Sequence, residues 1–286
     1  MTIRISPESE VVMNEEKIPI AEEEIAPLNS IAPDLAGLRI LFVNVFGVSF
    51  PDGSWTLIDA GVPHSAKRIR KWADESFGVP PRAIVLTHGH FDHAGSAKVL
   101  ADEWNVPVYA HPLELQFLNG TSSYPPPDPM AGGGVMALLS PLYPSGPIDL
   151  GNRLRPLTES DVAGLLPGWR MIHTPGHTIG HISFFRESDG TLLVGDALCT
   201  VQSESMMAIA QQRPELHGPP SYYTPDWIAA RASVDTLASL QPRTLAPGHG
   251  QPVSGADIPA QLERLSARFE EIALPDDAKQ KRDRVA

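Results

Sequence analysis

The chain has 286 residues, a formal charge of −12 and 42% hydrophobic residues, with 29 prolines and 23 glycines. That length allows one large domain or two small ones around a sizeable core, and the prolines and glycines predict a loop-rich molecule more than a helical bundle. The acidic balance weighs against nucleic acid, whose phosphates call for a basic footprint. Cys199 is the only cysteine, which excludes an intrachain disulfide and a thiolate zinc site.

The start, MTIRISPESEVVMNEEKIPI, has neither a basic n-region nor a continuous apolar h-region. No apolar run approaches the roughly 20 residues that span a bilayer. A cytoplasmic protein with no membrane partner is expected. Residues 1–36 are acidic, with Glu15, Glu16, Glu22, Glu23 and Glu24, and read as an N-terminal extension draped over the body or partly disordered. Residues 37–275 read as the working domain and 276–286 as a tail.

Strand signals begin with RILFVNVFGVSF (39–50), followed by a Pro-Asp-Gly turn and WTLIDAG (55–61), a hairpin pattern. Residues 64–77 read as a helix and AIVLT (83–87) as a short buried strand. From Asp92 to Asn105, Ala94, Ala97, Leu100, Ala101 and Trp104 recur at helical spacing. VPVYA (106–110) is a strand. Residues 119–149 are too rich in proline and glycine for regular structure except a short helix near 134–140. Three strands follow, WRMIHT (169–174), HISFFR (181–186) and TLLVGDA (191–197), then a second irregular stretch at 201–225. Helices at 226–241 and 257–273 flank RTLAPGHG (243–250). The alternation predicts an α/β or mixed sandwich with no clean linker.

The segment Thr87-His88-Gly89-His90-Phe91-Asp92-His93-Ala94-Gly95 carries the chemistry. A buried strand delivers it and a helix follows it. His88 and His90 alternate along extended backbone and can face one side, while Asp92 and His93 sit where the chain turns into the helix. A single loop histidine is ordinarily just solvated, but three with an aspartate in six positions point to a metal. Imidazole and carboxylate suit zinc, and also iron or manganese. Further on, Thr174-Pro175-Gly176-His177-Thr178, Gly195-Asp196-Ala197 and Gly248-His249-Gly250 each place a ligand-type residue beside a glycine at a strand end.

Through THGHFDHAG at 87–95, TPGHT at 174–178, GDA at 195–197 and GHG at 248–250, the chain resembles the metallo-β-lactamase superfamily from about residue 39 to about 255. The resemblance implies a four-layer αββα sandwich, an α/β (α+β) fold with metals at one edge between the sheets. It implies two divalent ions, expected as zinc with iron or manganese as alternatives. His88, His90 and His177 would hold the first, and Asp92, His93 and His249 the second. Asp196 would bridge both, and Asp59 would orient a ligand imidazole. The implied chemistry is hydrolysis of a small molecule by a metal-bridging hydroxide, with Asp92 holding or shuttling the proton.

Within that resemblance, Asp196 argues against β-lactam hydrolysis, because true β-lactamases of the fold generally lack an aspartate there. Acidity argues against the RNA-processing branch. An ester or lactone hydrolase ranks first, a glyoxalase II type thioesterase second and a phosphotriesterase third. Mono-iron sulfur dioxygenases and noncatalytic relatives rank lower, because the ligand set is complete. Tyr222 and Tyr223, in GPPSYYTPDW, are the candidates for a phenol reaching substrate, with surface packing as the plainer alternative. His181 and His173 read as structural, His111 as rim or packing, Cys199 as a small buried apolar residue, and His64 and His217 carry no role. The apolar residues of 119–149 (Tyr124, Met130, Val135, Met136, Leu138, Leu139, Leu142 and Tyr143) are expected to wall the pocket mouth or to form a homodimer contact.

Overall fold

Strands that are apolar on both faces can be buried only between two further layers. The computed structural model, which describes residues 17–276 and 279, satisfies that requirement with two sheets back to back. The first runs in the order Leu35–Ile40, Val43–Ser49, Trp55–Ile58, Ile84–Val85, Val108–Ala110, Leu154–Pro156. The second runs Val253–Ser254, Thr244–Pro247, Thr191–Gly195, Ile182–Arg186, Arg170–His173.

Residue alternation assigns the layers. Phe46, Val48, Ile58 and Val85 of the first sheet meet Phe184, Leu193 and Ala246 of the second in the central core. Their sequence neighbours Val45, Leu57 and Ile84 point the other way, onto Ile69 and Ala73 of helix Ala66–Ser76 and Leu100 and Ala101 of helix Ala97–Trp104. On the far side, Phe185, Leu192, Val194 and Leu245 pack on Val234 and Leu237 of helix Trp227–Ser239 and Leu262 and Leu265 of helix Ile258–Ala267. The result is a four-layer αββα sandwich. Truncating an aromatic such as Phe184, fully buried at its centre, typically costs about 3–5 kcal/mol.

Several segments differ from their sequence reading. Residues 39–50 are not one strand: the chain reverses at Leu41 and Phe42, with Leu41 at φ 58° and largely exposed. No glycine, asparagine or proline marks that turn. The helix expected over 92–105 breaks into Phe91–Ala94 and Ala97–Trp104. Ser96 lies in the break and donates to the Val62 carbonyl at 2.8 Å instead of supporting a helix. Residues 257–273 likewise form two helices, Ile258–Ala267 and Phe269–Ile272.

Residues 17–34 lie over the body. Ile18–Pro19 pairs with Glu215–Leu216, and Ile18 and Ile20 are buried against the outer helices of the second sheet. Leu35 and Ala36 already belong to the first strand, two residues ahead of the expected boundary. Residues 1–16 and most of the 276–286 tail lie outside the described residues. Among those described, no helix is long and apolar enough to cross a membrane.

Parallel pairing positions the site. Trp55–Ile58 runs parallel to Ile84–Val85, and Thr191–Gly195 parallel to Thr244–Pro247. Their C-terminal ends therefore finish at one edge, and Asp59, His88, Asp196 and His249 follow directly. Buried Asn44 stitches that edge together, donating from Nδ2 to the carbonyls of Pro247 at 2.9 Å and Gly250 at 2.8 Å.

Candidate metal centre

The seven candidate ligands, separated by up to 161 positions in sequence, converge at this edge and all are buried. Three ring nitrogens form one set: His90 Nδ1 lies 3.1 Å from His88 Nε2 and 3.0 Å from His177 Nε2. Asp92, His93 and His249 form a second set, with His249 Nε2 3.5 Å from Asp92 Oδ2. Asp196 stands between them. Its Oδ2 is 3.5 Å from His177 Nε2 and 3.0 Å from His249 Nε2, and its Oδ1 is 3.3 Å from His93 Nε2.

The second nitrogen of most of these imidazoles is fixed by the fold, which sets which nitrogen faces inward. Thr87 Oγ1 is 3.1 Å from His88 Nδ1, and Thr224 Oγ1 is 3.1 Å from His177 Nδ1. His249 Nδ1 donates to the Phe42 carbonyl at 2.9 Å, which gives the unmarked turn at 41–42 a purpose. His93 Nδ1 bonds Asp59 Oδ2 at 2.8 Å. Asp59 sits at φ 59°, a left-handed backbone that side chains other than glycine and asparagine rarely adopt, and also accepts from Thr87 N at 2.8 Å. His181 is not in either set. It accepts from Asp196 N at 2.8 Å through Nε2, with Nδ1 held 2.8 Å from Thr174 Oγ1, and so braces the bridging position.

Electrostatics separates the sets. Burial drives His88 and His177 well below the usual imidazole value and His90 to about 3, with neighbouring histidines adding to the effect. Burial, the largest single influence, opposes charge on His93 and His249, but Asp196 together with Asp59 and Asp92 at His93, and with Asp92 at His249, outweighs it, and both stand raised. Asp92 is raised by burial, whereas His249 and His93 hold Asp196 well below the carboxylate range against burial.

The donor set fits divalent metals. His93 Nε2 and Asp196 Oδ1 are buried and face each other at 3.3 Å without a well-formed hydrogen bond to one another or to any other described residue, an arrangement that is costly unless something else binds them. The donor atoms of each set lie within 4.8 Å of one another, and the mix is nitrogen and oxygen without sulfur.

A cavity of about 930 Å³ opens onto the first set, lined by His90, His177, Tyr124, Tyr223 and Trp227 among others, mostly apolar. Tyr223 has its ring 4.7 Å from that of His90 and its buried hydroxyl lacks a partner among the described residues. Tyr222 also lines the cavity but packs into a cluster with Met136 and Ala137. Of the apolar residues expected to wall the mouth, Tyr124 does so. Met130, Val135, Met136, Leu138, Leu139, Leu142 and Tyr143 do not touch the cavity, and Met130, Leu138 and Leu142 are largely exposed. The wall comes instead from Pro125, Pro126 and the 221–231 stretch. Cys199 is fully buried, and burial raises its thiol well above the usual value. His111 and His173 stack 4.5 Å apart, away from the centre.

Sequence reasoning missed Glu114 entirely. It is fully buried, and burial raises its carboxyl against the hydrogen bonds it accepts from Tyr124, Thr178, Gly89 and Gly180. A lone glutamate after His-Pro-Leu carries no motif. Its only signal is that a carboxylate stands beside the apolar Leu113 and Leu115.

Residues 38–249 match the family model described as the metallo-beta-lactamase superfamily, and the chain belongs to that superfamily. It is similar to the probable metallo-hydrolase YflN of Bacillus subtilis (strain 168), 42% identical over 84% of this chain and 93% of that one. A second relative, the probable metallo-hydrolase YybB of the same organism, is 29% identical over 60% of this chain and 66% of its own length. Among solved structures, TTHA1623 in a di-iron-bound form is 28% identical with a TM-score of 0.53, covering 78% of this chain and 95% of that one. The family protein TTHA1429 from Thermus thermophilus shares the fold at 23% identity and a TM-score of 0.57, over 84% of this chain and 81% of that one. Fold, family and clustered donors together define a metal-dependent hydrolase.

Proposed function

We propose that the chain hydrolyses a carboxylic ester or lactone of a small, partly apolar molecule at a centre of two divalent ions, with zinc as the first expectation. One observation carries the reading: the Tyr223 ring lies 4.7 Å from that of His90, with its hydroxyl unpartnered among the described residues, where an apolar cavity meets the first donor set. His88, His90 and His177 would hold one ion and Asp92, His93 and His249 the other, with Asp196 shared. Bound there, such ions polarise a carbonyl and lower the pKa of water. The Tyr223 hydroxyl would donate to the carbonyl oxygen as it gains negative charge, a contact that strengthens in the transition state. Asp92, raised by its burial, is suited to take the proton given up by the attacking water and to return it to the alkoxide oxygen that leaves as the acyl–oxygen bond breaks. The apolar walls exclude bulk water and seat the acyl chain.

The thioesterase reading weakens on the same geometry. The basic residues of the C-terminal region that a thioester carrier would need, Arg264, Arg268 and Lys279, lie outside the cavity lining, and Arg231, which lines it, is paired with Glu270 at 2.9 Å. Among the described residues, an anionic thioester carrier would find little counter-charge there. The test is metal analysis of the purified protein with a panel of lactones, esters, thioesters and phosphotriesters. The expected result is about two ions per chain, turnover of a lactone or ester, and its loss in His90→Ala. Failure to bind transition metals under any loading condition, or preference for thioesters or phosphotriesters, would overturn the reading.

A further inference from the structure

Glu114 lies on the short turn after strand Val108–Ala110, with its side chain reaching beneath the first donor set. Each carboxylate oxygen is engaged twice. Oε2 accepts from Gly89 N at 2.9 Å and from the Tyr124 hydroxyl. Oε1 accepts from Thr178 Oγ1 at 2.8 Å and Gly180 N at 2.8 Å. Gly89 separates His88 from His90, and Thr178 follows His177. One buried side chain therefore touches both loops that carry the His88, His90 and His177 set. Tyr124, the fourth donor, also accepts from Gly89 N at 2.9 Å, sets its ring 4.5 Å from His90 and stacks at 3.9 Å on Phe117 in the cavity lining.

The surrounding backbone is shaped for this contact. A Cβ at Gly89 would sit 2.5 Å from the Tyr124 hydroxyl, and one at Gly180 would sit 2.8 Å from Glu114 Cγ and Oε1. Four donors facing one group require an acceptor with no protons of its own, which a carboxylate alone among side chains supplies on both atoms. Burying it is expensive, and an apolar residue would pack at lower cost. What an apolar residue could not do is hold the two loops at a fixed separation.

We propose that Glu114 is a positioning residue for the His88, His90 and His177 set: its carboxylate ties the two ligand loops to each other and, through Tyr124, to the cavity wall. The inference rests on those histidines holding a metal. It sets Glu114 apart from the second set, which it does not contact, so its loss should act on one ion and spare the other.

The test is titration of the metal-free protein with cobalt(II), following the visible bands, with His177→Ala and His249→Ala used to assign bands to the two sets. Glu114→Gln keeps the size of the side chain but turns an NH₂ either toward Gly180, leaving its backbone N–H unpaired, or toward Gly89, whose N–H is left with the Tyr124 hydroxyl alone. The expected result is cobalt affinity at the first set weakened about 10–100-fold, as for other groups that hold metal ligands in place, with the second set within about twofold. Thr178→Val removes one donor and leaves the carboxylate in place, so it keeps the test alive if Glu114→Gln does not fold; about fivefold weakening at the first set is expected. On a p-nitrophenyl ester, Glu114→Gln should lower kcat, and Tyr124→Phe, which removes one of the four donors but keeps the ring in the cavity wall, should lower it by less. Equal weakening at both sets, or none in either variant, overturns the role assigned to Glu114 while leaving the metal centre standing. Absence of cobalt uptake by the unsubstituted chain overturns both.

Discussion

The two donor sets share a carboxylate but are built differently. The His88, His90 and His177 set faces the cavity, hangs on two loops, and its imidazoles are all pushed toward neutrality by burial and by each other. The Asp92, His93 and His249 set lies off the cavity lining, is fixed by Asp59 and the Phe42 carbonyl, and its imidazoles are pushed toward the charged form by carboxylates. The first is ready to bind a cation without releasing protons. The second must lose protons first. A single family motif, HxHxDH, thus feeds two sites with opposite electrostatics because alternate residues face different neighbours.

The largest break in the comparison is removal of what the sets share. Asp196→Ala should uncouple them, lowering turnover by about 10³-fold, the equivalent of several kcal/mol of charge stabilisation, with metal content falling toward one ion per chain. Retention of both ions with full turnover would show that the sets do not depend on Asp196. Next in size, Tyr223→Phe should lower kcat on a lactone or ester by about 10²-fold, as loss of an oxyanion donor does, while metal content stays unchanged. Asp59→Asn should act mainly on the second set through His93, weakening its metal by about 10–100-fold in a chelator competition, with a smaller effect on the first set through Thr87 and His88; a larger effect on the first set would reverse the assignment.

Much of the centre was legible because its residues cluster or abut glycines at strand ends. His88, His90, Asp92 and His93 lie in one loop, and His177, Asp196 and His249 each follow a strand that periodicity reveals. The family resemblance supplied the pairing of these residues into two sets, which spacing alone leaves open. The supports were not legible. Thr224, the Phe42 carbonyl, Asn44 and Glu114 act through contacts made only when distant segments fold together, and none has a local pattern. The turn at Leu41 and Phe42 hid for the same reason: its conformation answers to His249, some two hundred residues away, and not to its own sequence. Residues of the 119–149 segment misled in the other direction, because apolar composition cannot say whether a side chain faces a cavity or solvent.

The pH response separates the sets more gently. Carboxylates raise His93 and His249, so as pH drops the metal-free second set takes up protons that the metal must displace, and its affinity should fall about tenfold per pH unit for each imidazole protonated. Burial lowers the first set, with His90 at about 3, so its affinity should stay nearly flat from pH 8 to 6. Cobalt titrations across that range check both slopes; parallel slopes would show that the two sets share one electrostatic environment.

The smallest effect is expected where neither set is touched. Met130, Leu138 and Leu142 are 74%, 65% and 79% exposed and line no part of the cavity. Changing all three to serine should leave turnover and both metal affinities within about twofold, and stability within about 0.5 kcal/mol per site, as for surface positions generally. The informative readout is molecular mass by light scattering. A fall from dimer to monomer would assign these side chains to a contact between copies, and the exposed apolar surface of the insertion would then have its explanation. An unchanged monomer with reduced turnover would mean that the segment reaches the cavity-facing set by a route other than Tyr124, and the division between a working wall and a passive outer face would fail.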